Sequence, residues 1–373
     1  MRKITGKLIL YINVAVALLL LLSYTAPFIN PSRILFPAFL GLAYPYLLLI
    51  NLIFLVYWTI RFRKELLISL VVIMVGWGHL MNFLPLNFST GERKKESRIE
   101  EGFSIMSYNV RTFDLYNWSE QENSTDGIFD IIHENTPDIL CMQEFYTEDK
   151  IGKRESDIRR KLKSYPYYSV YYGVKNSPAA GFGIATFSKH PIVKTSRIPF
   201  SNTMNQAVYT DILMGEDTVR VFNIHLQSIR FGQRNYSFMD SLSFKYSNRQ
   251  IQEVKDISKR LREAFVRRAE QSKIIHNYIL DSPHPVIVTG DFNDTPQSYA
   301  YRRIQKGLVD AFREAGRGFG NTYAGELPSF RIDFILYSES LEAVKFKRIK
   351  SKFSDHFPVI AILDDREITE DPG

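Results

Sequence analysis

The stretch VTGDFNDTPQS, Val288 to Ser298, sets Asp291, Asn293 and Asp294 directly behind the apolar run Val286-Ile287-Val288. Carboxylates and an amide delivered by a buried strand to a turn are donors held on a rigid element, suited to a hard cation and to phosphate. Other apolar, strand-like runs finish the same way. SIMSYNV delivers Asn109, DILCMQE delivers Glu144 and VFNIHLQS carries His225. FRIDFIL contains Asp333, and SKFSDHFPV supplies the adjacent Asp355 and His356. Groups fixed where buried strands open into loops could hold a metal and a phosphate without reorganisation.

Oxygen donors from Asp, Glu and Asn, with neither a cysteine cluster nor HExxH, suit Mg²⁺ first and Mn²⁺ second, and argue against structural zinc. Taken singly, each motif is bland. An Asp-His pair is commonly a loop contact, GDFN is often a turn, and Gln-Glu after a strand means nothing alone. Only the ordered set is specific.

That ordered set, SYNV, MQE, the histidine of NIHLQS, GDFN, RIDFIL and SDH, resembles the endonuclease/exonuclease/phosphatase superfamily over residues 102–365. The resemblance implies an α/β (α+β) fold: a four-layer sandwich in which two mixed β-sheets pack face to face and helices cover the outside. It makes Glu144 the principal metal ligand, with Asn109 and Asp355 nearby. Asp291 would activate or position the attacking water, and Asn293 would help bind phosphate. Asp333 would orient His356, since a carboxylate behind an imidazole fixes its tautomer and stabilises its charged form. His225 would be a second imidazole near the leaving group or phosphate. Arg111 departs from the pattern, because some nucleases of the family carry an acid there; its guanidinium could instead hold a phosphate oxygen or form a structural ion pair. His133, His190, His276 and His284 have no matching partners and read as structural.

The elements that must position these groups follow from patterning. Strand-like runs lie at 103–110, 139–143, 183–187, 207–213, 219–226, 286–289, 332–337 and 359–363. Helices are expected at 126–136, 155–163 and 248–280. In the last, Ile251, Val254, Ile257, Leu261 and Phe265 share a face, with Lys259, Arg260, Arg262, Arg267 and Arg268 opposite. That basic face could touch anionic lipid or nucleic acid, although a solvated face is the commoner outcome. Residues 228–247 have no clear period and fit a substrate loop, a membrane-facing lip or a plain insertion. The single cysteine, Cys141, reads as a small buried side chain and leaves the redox compartment open.

Ahead of this domain, residues 1–88 read as a membrane region with three transmembrane helices, at 8–29, 34–60 and 66–86. A cleaved signal peptide is the rival for the first, but Tyr24-Thr25-Ala26-Pro27 is a poor cleavage site. His79 and Asn82 lie near the edge of the third span, where polar residues cost little. Residues 89–101 read as a linker and 366–373 as a tail.

Residues 1–90 hold seven Lys or Arg and one acid, Glu65, which leaves 40 basic and 39 acidic residues beyond. The domain therefore lacks the overall basic excess expected of a nucleic-acid wrapper. Arg2, Lys3 and Lys7 before the first span, and Arg61, Arg63 and Lys64 after the second, put the amino terminus and second loop in the cytoplasm. Three crossings then place the domain outside, despite Arg93, Lys94, Lys95 and Arg98. Expected partners are the lipid bilayer and a phosphoester substrate, with nucleic acid not favoured and protein partners undefined. The expected function is a membrane-anchored, Mg²⁺-dependent phosphoesterase acting on a lipid headgroup or other extracytoplasmic phosphodiester. The alternatives are a membrane-anchored nuclease and a catalytically silent phosphate-binding module.

Overall fold

The computed structural model describes residues 2–87, 98–99, 101–115, 123–150, 152–175, 177, 180–201, 203–229, 248–325 and 329–365. Most of the expected linker, residues 230–247 of the aperiodic stretch and the tail at 366–373 lie outside the described residues.

One mixed sheet contains β1 (Phe103–Asn109), β2 (Ile139–Thr147), β3 (Tyr167–Lys175), β4 (Gly181–Ser188), β11 (Leu341–Arg348) and β12 (Val359–Asp365). The other contains β5 (Ile192–Ile198), β6 (Gln206–Met214), β7 (Asp217–His225), β8 (Val286–Asp291), β9 (Leu308–Asp310) and β10 (Asp333–Ser338). Their orders, β11-β12-β1-β2-β4-β3 and β5-β6-β7-β8-β10-β9, are alike, and each has one parallel pair at its centre, β1 with β2 and β7 with β8. Central strands buried on both faces read as continuous apolar runs, which is why Val286–Val288 was so legible. Gly290 belongs to that centre. At φ +139° it lies so close to β7 that a Cβ would fall 1.9 Å from the Ile224 carbonyl oxygen.

Four layers result. Ile105, Ile139 and Cys141 of the first sheet meet Val221, Ile287 and Ile335 of the second in the core between them. Burial there pushes the Cys141 thiol up to about 12, consistent with an inert structural side chain. The outer face of the first sheet packs on α5 (Ser124–Asn135) and α6 (Glu155–Lys161), through Ile128, Phe129, Ile132 and Ile158. The outer face of the second packs on α7 (Asn248–Leu280) and α8 (Tyr299–Gln305), through Ile275, Ile279, Tyr301 and Ile304. A short α9 (Ala311–Ala315) follows β9.

The N-terminal region corrects the expectation of three continuous spans. Two helices, α1 (Arg2–Ser23) and α2 (Phe36–Ile60), contain stretches long and apolar enough to cross a membrane. The first stops at Ser23 instead of reaching Ile29. Residues 66–86 form α3 (Leu66–Val75) and α4 (Trp77–Met81), parted at Gly76. Tyr24 wedges in at that point, its hydroxyl donating to Val72 O at 3.0 Å and its ring stacked on His79, and an inserted side chain interrupts a helix. Buried polar groups clamp the three long segments together. Asn13 donates to Ser69 Oγ at 2.8 Å, Ser69 donates to Asn51 Oδ1 at 3.1 Å, and Trp58 Nε1 donates to Asn13 Oδ1 at 3.0 Å.

The bundle is docked on the sandwich. Gln297 Nε2 donates to Ser23 O at 3.0 Å, Arg331 Nη2 to Asn82 O at 2.9 Å, and Asn87 Nδ2 to Gly316 O at 2.8 Å. Gly41 of α2 allows this approach, since a Cβ there would lie 2.5 Å from the Gln297 carbonyl oxygen.

The basic face of α7 also needs correction. Arg268 is 1 % exposed, its Nε 2.9 Å from the buried Asp294, and its Nη1 donates to Asn293 O at 2.6 Å. Its long stem lets it reach under the GDFN turn, whereas Lys255, Lys259 and Arg262 of the same helix are exposed. Removing one partner of such a buried pair strands the other charge. Arg268→Ala should cost about 3–5 kcal/mol in urea unfolding. A loss within the error of the measurement would show that Asp294 is not charged in the folded protein.

Candidate active site

Each candidate group except Glu144, which lies inside β2 at a bulge, occupies a strand end or the loop beside one, all at the same edge of the sandwich. Asn109 closes β1, His225 closes β7, Asp291 closes β8 and Asp333 opens β10. β1 belongs to one sheet and the other three to the second, so the site forms only when the sheets pack.

Glu144 is aimed by a defect. The register of β2 against β4 shifts between Met142 and Phe145, and Glu144 itself has φ 51°. Bulges re-aim side chains, and a left-handed non-glycine residue stores strain that the surrounding packing must hold. Asn293, at φ 52°, is a second case. A third is the run Arg111 to Asp114, four consecutive residues at φ 45° to 55°, which turns the chain sharply beyond Asn109.

Asp291 is the meeting point. It is 1 % exposed, and its Oδ2 accepts from Asn109 Nδ2 at 3.1 Å and Asn293 Nδ2 at 3.0 Å. Its Oδ1 accepts from the Asn293 backbone N–H at 2.7 Å. His225 Nε2 and His356 Nε2 lie 3.6 Å and 3.8 Å from Oδ2. Behind His356, Asp333 takes Nδ1 at 2.9 Å, and Asp333 itself is held by its backbone N–H donating to Thr322 Oγ1 at 3.0 Å. Glu144 Oε1 stands 3.4 Å from Asn109 Nδ2 and 3.7 Å from His225 Nε2. Asp355 faces Arg111, whose Nε is 3.3 Å from its Oδ2. The structure thus brings together all nine residues singled out in the sequence.

Electrostatics follow from burial. Desolvation raises the Asp291 carboxyl to about 6, with the Asp333 charge adding to the rise and His356 opposing it. Burial opposes the imidazolium of His356, but the Asp333 and Asp291 carboxylates outweigh it and hold the ring well above the ordinary histidine value. Burial, then the Asp355 charge, raises Glu144. Carboxylates gathered at such a cost fit a cation. Asp291, Asp333 and His356 each place a donor atom within 4.8 Å of the other two. Asp333 is already committed to His356 Nδ1, and the Asn109 amide turns its nitrogen to Glu144 and Asp291 while its oxygen accepts from the Arg111 backbone N–H at 3.0 Å. The carboxylates of Glu144, Asp291 and Asp355 are the donors left for a cation, and turning the Asn109 amide over would add its oxygen. They are all oxygens, the set a hard divalent cation takes.

Several contributors escaped sequence reading. Gln143, fully buried, donates to Asn223 Oδ1 at 2.7 Å and so ties the two sheets beneath the site. Ser354 Oγ donates to Asn109 O at 2.8 Å, Thr322 braces Asp333, and the Tyr323 ring meets His356 edge-on at 5.4 Å. Arg268 supports Asn293. Gln143 and Ser354 belong to the MQE and SDH runs, where the sequence gives them no role of their own, and Thr322, Tyr323 and Arg268 sit in no motif. Their partners lie elsewhere in the sequence, so only the fold connects them.

The raised His356 value has a sign that can be checked in metal-free protein. The folded state binds this proton more tightly than the unfolded chain. The stability it contributes is therefore fully present below the unfolded histidine value and is lost as pH rises through the folded one. Nitrogen-15 NMR should find His356 still doubly protonated at neutral pH, and Asp333→Asn should lower its titration midpoint by more than about one unit. An unchanged midpoint in Asp333→Asn would contradict the dyad.

Comparisons with known proteins place this geometry. Residues 106–356 match the model of the Endonuclease/Exonuclease/phosphatase family, and residues 6–83 match a domain of unknown function (DUF8431). No curated protein matches the chain. Among solved structures, the endonuclease/exonuclease/phosphatase from Beutenbergia cavernae DSM 12333 is similar, with TM-score 0.51 and 17% identity over 71% of this chain and 72% of that one. An endonuclease/exonuclease/phosphatase family protein from Bacteroides thetaiotaomicron also gives TM-score 0.51 and 17% identity, over 70% of this chain and 97% of its own. At that identity the likeness speaks for the fold. The match over two thirds of the chain, on the residues that build the sandwich and its edge, shows that the chain belongs to the endonuclease/exonuclease/phosphatase family.

Proposed function

We propose that the chain is a membrane-anchored, Mg²⁺-dependent phosphoesterase that hydrolyses a phosphodiester by attack of water, with a lipid headgroup ester as the preferred substrate class. The observation that supports the chemistry is the convergence of two carboxamides, two imidazoles and the Glu144 carboxylate on or beside the Asp291 carboxylate. What favours a membrane-resident ester is that the same edge meets the N-terminal bundle. Gln297, six residues after Asp291, bonds Ser23, and Arg331, two residues before Asp333, bonds Asn82. The near-neutral charge of the domain speaks against nucleic acid. The complete set of acid, amide and imidazole groups speaks against a silent binding module. Charge at the bundle's other end, Arg61, Arg63 and Lys64, supports an extracytoplasmic domain.

In this reading Glu144, Asn109 and Asp355 hold Mg²⁺, with Mn²⁺ able to replace it. The ion, when bound, polarises the phosphoryl group and offsets its developing charge. Asp291, its carboxyl raised by burial, orients the attacking water and takes its proton. The His356 imidazolium, steadied by Asp333, donates a hydrogen bond to the phosphoryl oxygens where charge builds, and the Asn293 amide joins it by giving up one of its bonds to Asp291 Oδ2 or Leu226 O. His225, beside Asp291 and Glu144, would serve the departing alcohol or the phosphate. Arg111, resting on Asp355, offers a further cation to phosphate.

Phosphorus NMR of the full chain in detergent should follow one mixture of DNA oligonucleotide, phospholipid and inositol phosphates with Mg²⁺. The lipid diester resonance should decline, EDTA should stop it, and Glu144→Gln or His356→Ala should slow it by about 10²-fold or more with unchanged circular dichroism. Loss of the oligonucleotide signal alone would make the protein a nuclease. Unchanged spectra from folded, metal-loaded protein would favour the binding module.

A further inference from the structure

α7 is longer than the sheet it covers. Its second half is buried against the sandwich through Phe265, Ile275 and Ile279, whereas Ile251 and Val254 in the first half are 46 % and 51 % exposed. They lie on the same stripe as Ile257, Leu261 and Phe265, spaced by three or four residues, so one apolar face continues past the core.

The direction of that face is fixed at its inner end. The Phe265 ring meets Phe39 edge-on at 5.5 Å, and Phe39 lies in the first turn of α2, where the bundle meets the sandwich. Around that bundle end Phe28, Ile34 and Phe36 are 62 %, 56 % and 57 % exposed. From Phe265 back to Ile251 the helix extends about 21 Å.

Charge is arranged to match. Lys255, Lys259 and Arg262, spaced by four and three residues, form an exposed row along one flank of the apolar stripe. Asp256 and Glu263 fall on the far side of the helix, and Glu253 is an acid on the other flank, beside Ile257. Neighbouring α8 adds cations, with the Arg302 guanidinium 5.4 Å from the Phe28 ring centroid. An apolar stripe flanked by basic residues whose stems can snorkel is the arrangement of a helix lying in a bilayer interface.

We propose that the first half of α7, residues 251–262, lies on the surface of the bilayer that holds α1 and α2, with Ile251 and Val254 in the acyl boundary and Lys255, Lys259 and Arg262 on anionic headgroups. The proposal rests on the membrane reading of the bundle. It adds a second, peripheral attachment that fixes the tilt of the active-site edge over the membrane, because Arg268 on the same helix braces Asn293.

The full chain would be labelled with an environment-sensitive fluorophore at Val254→Cys, Glu263→Cys or Leu49→Cys and placed in nanodiscs containing doxyl-labelled lipid, with or without phosphatidylglycerol. Labelling is selective because Cys141 is buried. Leu49, 55 % exposed on α2, reports whether the bundle is in lipid. Quenching is expected at 49 and 254 but not 263, stronger at 254 with phosphatidylglycerol, and reduced several-fold at 254 alone by Lys255→Glu, Lys259→Glu and Arg262→Glu together. Quenching at 49 without quenching at 254 would overturn the proposal and leave the anchor standing. Protection of 254 that scales with protein concentration would assign the face to a second copy instead. Absence of quenching at both positions would remove the membrane reading and this proposal with it.

Discussion

The Asp291 carboxylate is a charge that water barely reaches, and it can stay ionised only if the protein supplies what water would. Donors come from both sheets: Asn109 from one, Asn293 and the neighbouring His225 from the other, and His356 from the loop beside β12. Sheet packing and site assembly are therefore one event. A slip of either sheet would unpair a buried carboxylate, so the Gln143–Asn223 bond across the interior acts as a register pin as well as a polar contact. The strained φ angles at Glu144, Asn293 and Arg111 lie around the same point, where surrounding packing over-determines the backbone.

That constraint extends into the bundle. The turn that begins with Asp291 and Asn293 ends with Gln297 bonded to Ser23, and the strand that begins with Asp333 is preceded by Arg331 bonded to Asn82. Arg331 is also paired with the buried Asp310 at 2.8 Å. Displacing the N-terminal helices would pull on both sides of the site, so the bundle has a positional role that a flexible tether would lack.

Much of this was legible in the sequence, and the misses have physical causes. The eight expected strands are present, whereas β3, β5, β9 and β11 were not read. Those four are the edges of the two sheets. Edge strands such as IVKTSRI and LEAVKFKR carry charge on solvated positions, which blunts the apolar signal that central strands show. The third span failed because a composition window cannot see Tyr24 wedged at Gly76. The candidate set was readable because polar groups beside strand ends stand out against apolar runs. The bulge that aims Glu144 and the reach of Arg268 to Asp294 depend on partners far away in sequence and left no local trace.

On this reading Glu144 and its neighbours form a divalent-cation site at the seam between the sheets. Electron paramagnetic resonance of Mn²⁺ titrated into the full chain tests it without any assumption about substrate. The account predicts that bound Mn²⁺ depletes the free-ion signal in wild type, and that Glu144→Gln weakens this binding by at least about 10-fold while leaving the fold intact. Equal Mn²⁺ affinity in wild type and folded Glu144→Gln would contradict it.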